Sequence, residues 1–92
     1  MNKPDEAIPD FTKAIELDPK DTTPLLNRAC AYLLYKKSDY DKAVADFTKL
    51  IEFAPEESMY YGFRAMAYDA SGQKDLAAAD RKKRADLRAK GH

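Results

Sequence analysis

An all-α fold, built as a stack of antiparallel helical hairpins with about five helices, is what this 92-residue sequence predicts. Three observations point to it. Two stretches of sequence recur at one fixed spacing, the apolar residues within them fall on single helix faces, and helix breakers separate them at helix-length intervals.

The spacing comes first, because a missed repeat misreads the whole chain. Residues 10–19 read Asp-Phe-Thr-Lys-Ala-Ile-Glu-Leu-Asp-Pro and residues 46–55 read Asp-Phe-Thr-Lys-Leu-Ile-Glu-Phe-Ala-Pro, with seven of ten positions identical at an offset of 36. The same offset relates Arg28-Ala29-Cys30-Ala31-Tyr32 to Arg64-Ala65-Met66-Ala67-Tyr68, with four of five identical. Two separate segments sharing one period mark a duplicated structural unit.

Each element then follows in order. Ala7, Phe11, Ala14 and Ile15 lie at i, i+4, i+7 and i+8, one face of a 3.6-residue period, and predict a helix near residues 5–18. Pro9 falls inside it, where a missing N–H should weaken the first turn. Leu25, Ala29 and Tyr32 predict a helix over 22–37, started by Asp21 or Thr22 as cap and by Pro24 in the first turn. Ala43, Phe47, Leu50 and Ile51 predict the next over 40–54, capped by Asp39. Tyr61, Ala65 and Tyr68 predict one over 58–70 with Ser58 as cap, and a basic helix follows the Ser71-Gly72 break over 74–89.

These residues resemble the tetratricopeptide repeat family. That family's unit places a large residue, a small one and Tyr on its first helix, then small, aromatic and small residues on its second, and closes on Pro. Leu25-Ala29-Tyr32 and Tyr61-Ala65-Tyr68 match the first helix, while Ala7-Phe11-Ala14-Pro19 and Ala43-Phe47-Leu50-Pro55 match the second. The resemblance implies one domain in a right-handed superhelical stack. It comprises the second helix of one repeat (4–19), a full repeat (20–55), and a full repeat with a degenerate basic capping helix (56–90). Small residues let the helices approach, and Phe11, Tyr32, Phe47 and Tyr68 fill the space between hairpins. Phe11→Ala or Phe47→Ala is expected to cost about 3–5 kcal/mol.

Three departures from the pattern stand out. Tyr32 to Tyr40 spans eight residues where Tyr68 to Lys74 spans six, so two extra residues lie within Leu33–Asp39. The chain opens on a second helix, which leaves Ala7, Phe11, Ala14 and Ile15 as an edge for self-association or for a longer array. In the last helix, the aromatic and following small positions hold Arg81 and Arg84, which suits a solvating cap with Leu76, Ala77, Ala85 and Leu87 turned inward.

Function follows from the same resemblance. The first helices of such repeats line a concave groove that takes peptide segments or helices of partner proteins. The family's groove positions correspond here to Thr23, Leu26, Asn27, Cys30, Leu33 and Leu34, then Met59, Gly62, Phe63, Met66, Asp69 and Ala70. This apolar, Met-containing lining suits a hydrophobic peptide or helix. The cationic clamp with which one subclass holds acidic chaperone tails is missing, because Met59 and Phe63 stand where it needs Lys and Arg. A lesser alternative is contact of Arg81, Lys82, Lys83, Arg84 and Arg88 with a polyanion such as RNA, but no aromatic residue interleaves with them to stack bases.

Composition excludes much else. Sixteen basic and sixteen acidic residues give no net charge, hence no strong field for nucleic acid or membrane. A single Cys30 forms no internal disulfide, and a single His92 permits neither a catalytic triad nor a protein-built zinc site. The expectation is a non-enzyme without cofactor or metal, cytoplasmic, with no signal-like segment at its start and no apolar run long enough to span a membrane.

Overall fold

The computed structural model describes residues 4–35 and 39–91. Its helices are α1 (Pro4–Leu17), α2 (Thr22–Tyr35), α3 (Tyr40–Phe53), α4 (Ser58–Ala70) and α5 (Lys74–Lys90). Consecutive helices pack against each other, and α2 also touches α4, so these two lie on the same side of the stack. The predicted end of the second helix at residue 37, part of the two-residue insertion, and His92 lie outside the described residues.

Local chemistry sets the boundaries. Asp21 Oδ1 accepts the Thr23 N–H at 3.1 Å and so caps α2, as its sequence position predicts. Asp39 and Ser58 do not act as the caps expected of them. Asp39 precedes α3 without a side-chain cap bond and instead faces Lys42 at 3.9 Å, while Glu57, not Ser58, is the residue before α4. At the end of α4, Gly72 takes φ +84°, a conformation that only glycine adopts without strain. The Gly72 N–H then reaches Asp69 O at 3.1 Å and the Gln73 N–H reaches Tyr68 O at 2.8 Å, closing the helix with a paired turn. Pro9 stays within α1 at an exposed position, and the helix runs through it.

Phe47 and Leu50 are the largest fully buried side chains, joined by Leu25, Ala29, Leu33, Ala43 and Ala67 in one core. Ala29 and Ala43 have no exposed surface, as expected of residues chosen for close helix approach. Phe11 differs from its repeat counterpart Phe47. It is only half-buried, because α1 packs against α2 alone, so truncating it should cost well under the amount expected at Phe47.

Two arginines tie the hairpins together. Arg28 on α2 donates from Nε and Nη2 to the two Asp46 oxygens on α3, both at 2.8 Å, and from Nη1 to Thr12 Oγ1 on α1 at 3.0 Å. Arg64 on α4 does the same to Asp80 on α5 at 2.7 and 2.8 Å and to Thr48 on α3 at 3.1 Å. Each arginine therefore spans three successive helices. The arginine and aspartate are 18 residues apart in the first bridge and 16 in the second, yet the distances match. The geometry of the two bridges is thus the same although the first repeat carries two extra residues between its arginine and its aspartate.

The cap on α5 is only partly as expected. Ala77 is buried and Leu87 half-buried, but Leu76 is 47% exposed and Ala85 also faces out. Position 80, an aspartate, takes the buried place through its bridge to Arg64.

Two outcomes check this packing. Phe47→Ala should lower unfolding free energy by about 3–5 kcal/mol in a denaturant titration, and Phe11→Ala by clearly less. Arg64→Met should cost on the order of 3 kcal/mol by stranding Asp80, with much of that recovered in Arg64→Met/Asp80→Leu; equal loss in the single and double variants would contradict the bridge.

Candidate functional site

Two shallow clefts lie along α4 and α2. One, of about 310 Å³, is lined by Ser58, Met59, Gly62, Phe63 and Met66 of α4 and by Arg84 and Arg88 of α5. The other, of about 260 Å³, is lined by Ala7 and Phe11 of α1 and by Asn27, Cys30, Ala31, Leu34 and Tyr35 of α2. The first is apolar with a cationic rim. The second is almost wholly apolar.

The residues expected in a groove divide among surface, floor and core. Met59 and Met66 are 43% and 47% exposed and offer flexible thioethers to solvent. Phe63 is half-buried, its ring stacked on Phe47 with centroids 5.5 Å apart, so it forms the cleft floor and supports the core at once. Gly62 is buried because the Arg84 side chain lies across it; a Cβ there would stand 2.9 Å from Arg84 Cδ. Asn27, Cys30 and Leu34 reach the second cleft, with Leu34 57% exposed. Leu26 packs against the core from its edge. Leu33 is a correction: at 8% exposure it belongs to the core, since its face of α2 meets the buried residues of α3.

The remaining expected positions are peripheral. Thr23 is exposed and contributes its backbone N–H to the α2 cap. Asp69 accepts a bond from Arg81 and is thereby held to α5, and Ala70 is exposed at the end of α4. Of the edge residues, Ala7, Phe11, Ala14 and Ile15 are all half-buried, Ala7 and Phe11 lining the second cleft and Ile15 packing on the core.

The basic residues of α5 do not form one stripe. Arg81 turns to Asp69, Lys82 and Lys83 are exposed, and Arg84 and Arg88 lean over the α4 cleft. The sequence pattern, which puts Arg84 in a solvating cap and both arginines in a possible polyanion contact, does not show that convergence. Their one signal was position: Arg84 stands at a place the repeat pattern keeps small, next to a glycine on the neighbouring helix.

The hydrogen bonds to Asp46 and Asp80 raise the pKa of Arg28 and Arg64 above the ordinary guanidinium value, keeping both firmly charged. The Arg64 guanidinium is further flanked by the Tyr61 and Tyr68 rings, 5.8 and 5.6 Å from their centroids. Burial pushes the Cys30 thiol up, which suppresses the thiolate that nucleophilic chemistry needs. Among the described residues no group of acidic, His or Cys side chains is arranged to hold a metal, and no helix is long and apolar enough to cross a membrane.

The sequence model of a known family, described as the tetratricopeptide repeat, matches residues 11–45. Those residues run from α1 through α2 into α3, and include the whole of the first arginine bridge except Asp46. No curated protein matches the chain. Tetratricopeptide repeats generally mediate protein–protein interaction, and theirs is a non-catalytic scaffold family.

The Cys30 shift has a pH consequence. A thiol whose pKa is raised by folding keeps its stability contribution below its unfolded pKa and loses it as pH climbs through the folded one. Stability should therefore decline more steeply at alkaline pH in the native chain than in Cys30→Ala; parallel pH profiles would contradict the burial of the thiol.

Proposed function

We infer that this chain, a member of the tetratricopeptide repeat family by its matched span and its stack of hairpins, holds a peptide or helix of a partner protein on the face shared by α2 and α4. The observation that carries this reading is the cleft over Met59, Phe63 and Met66. There, two large apolar side chains remain nearly half exposed on a rigid floor that the core itself supports. Solvent-exposed methionines on a packed helix gain little for the fold, but they adapt to varied apolar partners at small conformational cost.

The floor and the rim have separable roles. Phe63 shares its stacking with Phe47, so removing it would disturb the core together with the cleft. Met59 and Met66 stand outside the buried core. Binding here needs no chemistry: apolar contact along α4 provides affinity, and the edges of the cleft set which segment fits.

The second cleft favours an alternative use of the same face. Leu34 and Tyr35 at 57% and 60% exposure, beside the half-buried Phe11, are a surface on which two copies of the chain, or a neighbouring repeat, would bury apolar area. The polyanion alternative is weaker, since Arg81 is already paired and Arg84 and Arg88 rim an apolar cleft.

Selection of random displayed peptides against the chain separates these readings. Peptides with an apolar core should be enriched by the wild type and lost in Met59→Glu/Met66→Glu, whose helical circular dichroism should be unchanged. Absence of any enriched peptide, with light scattering showing a dimer, would overturn the peptide reading in favour of self-assembly.

A further inference from the structure

The described residues hold five arginines, and three of them are matched to aspartates: Arg28 to Asp46, Arg64 to Asp80, and Arg81 to Asp69. Arg84 and Arg88 are the other two, and neither has a carboxylate partner among the described residues. Both instead rim the cleft floored by Met59, Phe63 and Met66. They lie four residues apart on α5, one helical turn, which puts them on the same side of it.

The arrangement has a structural cause. Gly62 presents no side chain to α5, so the Arg84 stem lies against α4 and its guanidinium, still exposed, stands at the edge of the cleft. A guanidinium beside an apolar floor is a recognition element, because its planar fork can take a carboxylate through two bonds while the floor takes an apolar neighbour.

We propose that the α4–α5 cleft selects an acidic–apolar segment of a partner protein, with bulky apolar side chains on Met59, Phe63 and Met66 and side-chain carboxylates on Arg84 and Arg88. Two arginines one turn apart call for more than one carboxylate. A chain end offers one, so the segment is an internal run containing at least two Asp or Glu. This rests on the peptide-holding reading above and adds to it the chemical class of the partner.

The cleft also separates two roles for the cationic α5. Lys82 and Lys83 face solvent and keep the cap hydrated. Arg84 and Arg88 discriminate: an apolar segment with Lys or Arg beside it would meet like charge at the rim and be rejected.

The test uses arrays of acetylated, amidated dodecamers in which Leu, Phe or Met alternates with Asp/Glu, with Asn/Gln, or with Lys/Arg. The full chain, fluorescently labelled, is applied to all three sets. Retention on the acidic set at least tenfold above the other two is expected, falling to the neutral level in Arg84→Glu/Arg88→Glu. Gly62→Ala, which crowds the Arg84 stem while leaving every charge in place, should weaken retention on the acidic set alone. Equal retention on the acidic and neutral sets, lost in Met59→Glu/Met66→Glu but unaffected at 84 and 88, would overturn the acidic specificity and leave the peptide reading standing. Retention on no set, by a chain of unchanged helicity, would overturn both. A preference for free-acid over amidated versions of the same peptides would overturn the internal-segment assignment and point to a terminal carboxylate.

Discussion

The register of this fold depends on one repeated constraint: an arginine on the first helix of each hairpin reaches an aspartate on the second and a threonine on the helix before. The bond set Arg28–Asp46–Thr12, and its copy Arg64–Asp80–Thr48, fixes three helices at once. Small side chains such as Ala29, Ala43, Ala65 and Ala77 let the helices come close, but apolar contact has no direction and would tolerate sliding. The two-pronged bridge does not tolerate it. Buried aspartates must be paired, so the register of the stack is specified wherever one sits.

Much of this was legible in the sequence. The offset of 36 and the helical spacing of Phe11, Phe47, Tyr32 and Tyr68 led directly to five helices, with boundaries close to those observed. The bridges were not read, although Asp10/Asp46, Thr12/Thr48 and Arg28/Arg64 are all identical between repeats. Charged residues on helices are usually solvated, and a periodicity argument weighs only the apolar ones. Asp80 was harder still. Because the second repeat is two residues shorter, it aligns with Asp46 only after the insertion is removed.

The candidate cleft was partly legible for a related reason. Family positions place Met59, Gly62, Phe63 and Met66 on it, and all four line one cleft. They could not show that Leu33 is core, since a helix position is inward or outward depending on how its neighbours cross it. Nor could they show that α5 lends two arginines to α4. A long side chain reaches where the opposing surface leaves room, and Gly62 leaves that room. The glycine that reads as a gap in α4 is thus what shapes the edge of the cleft.

The cap and the cleft are two uses of one helix. The buried side of α5, with Ala77 and Asp80, closes the core and receives the last bridge. Arg84 and Arg88, on another side, rim the cleft on α4. The most direct test is a methyl spectrum of the chain carrying ¹³C-labelled methionine, recorded as a bound acidic–apolar peptide is titrated. Met59 and Met66 should both shift, saturably and together. Binding that leaves both of those methyls unmoved would place the partner elsewhere and contradict the account.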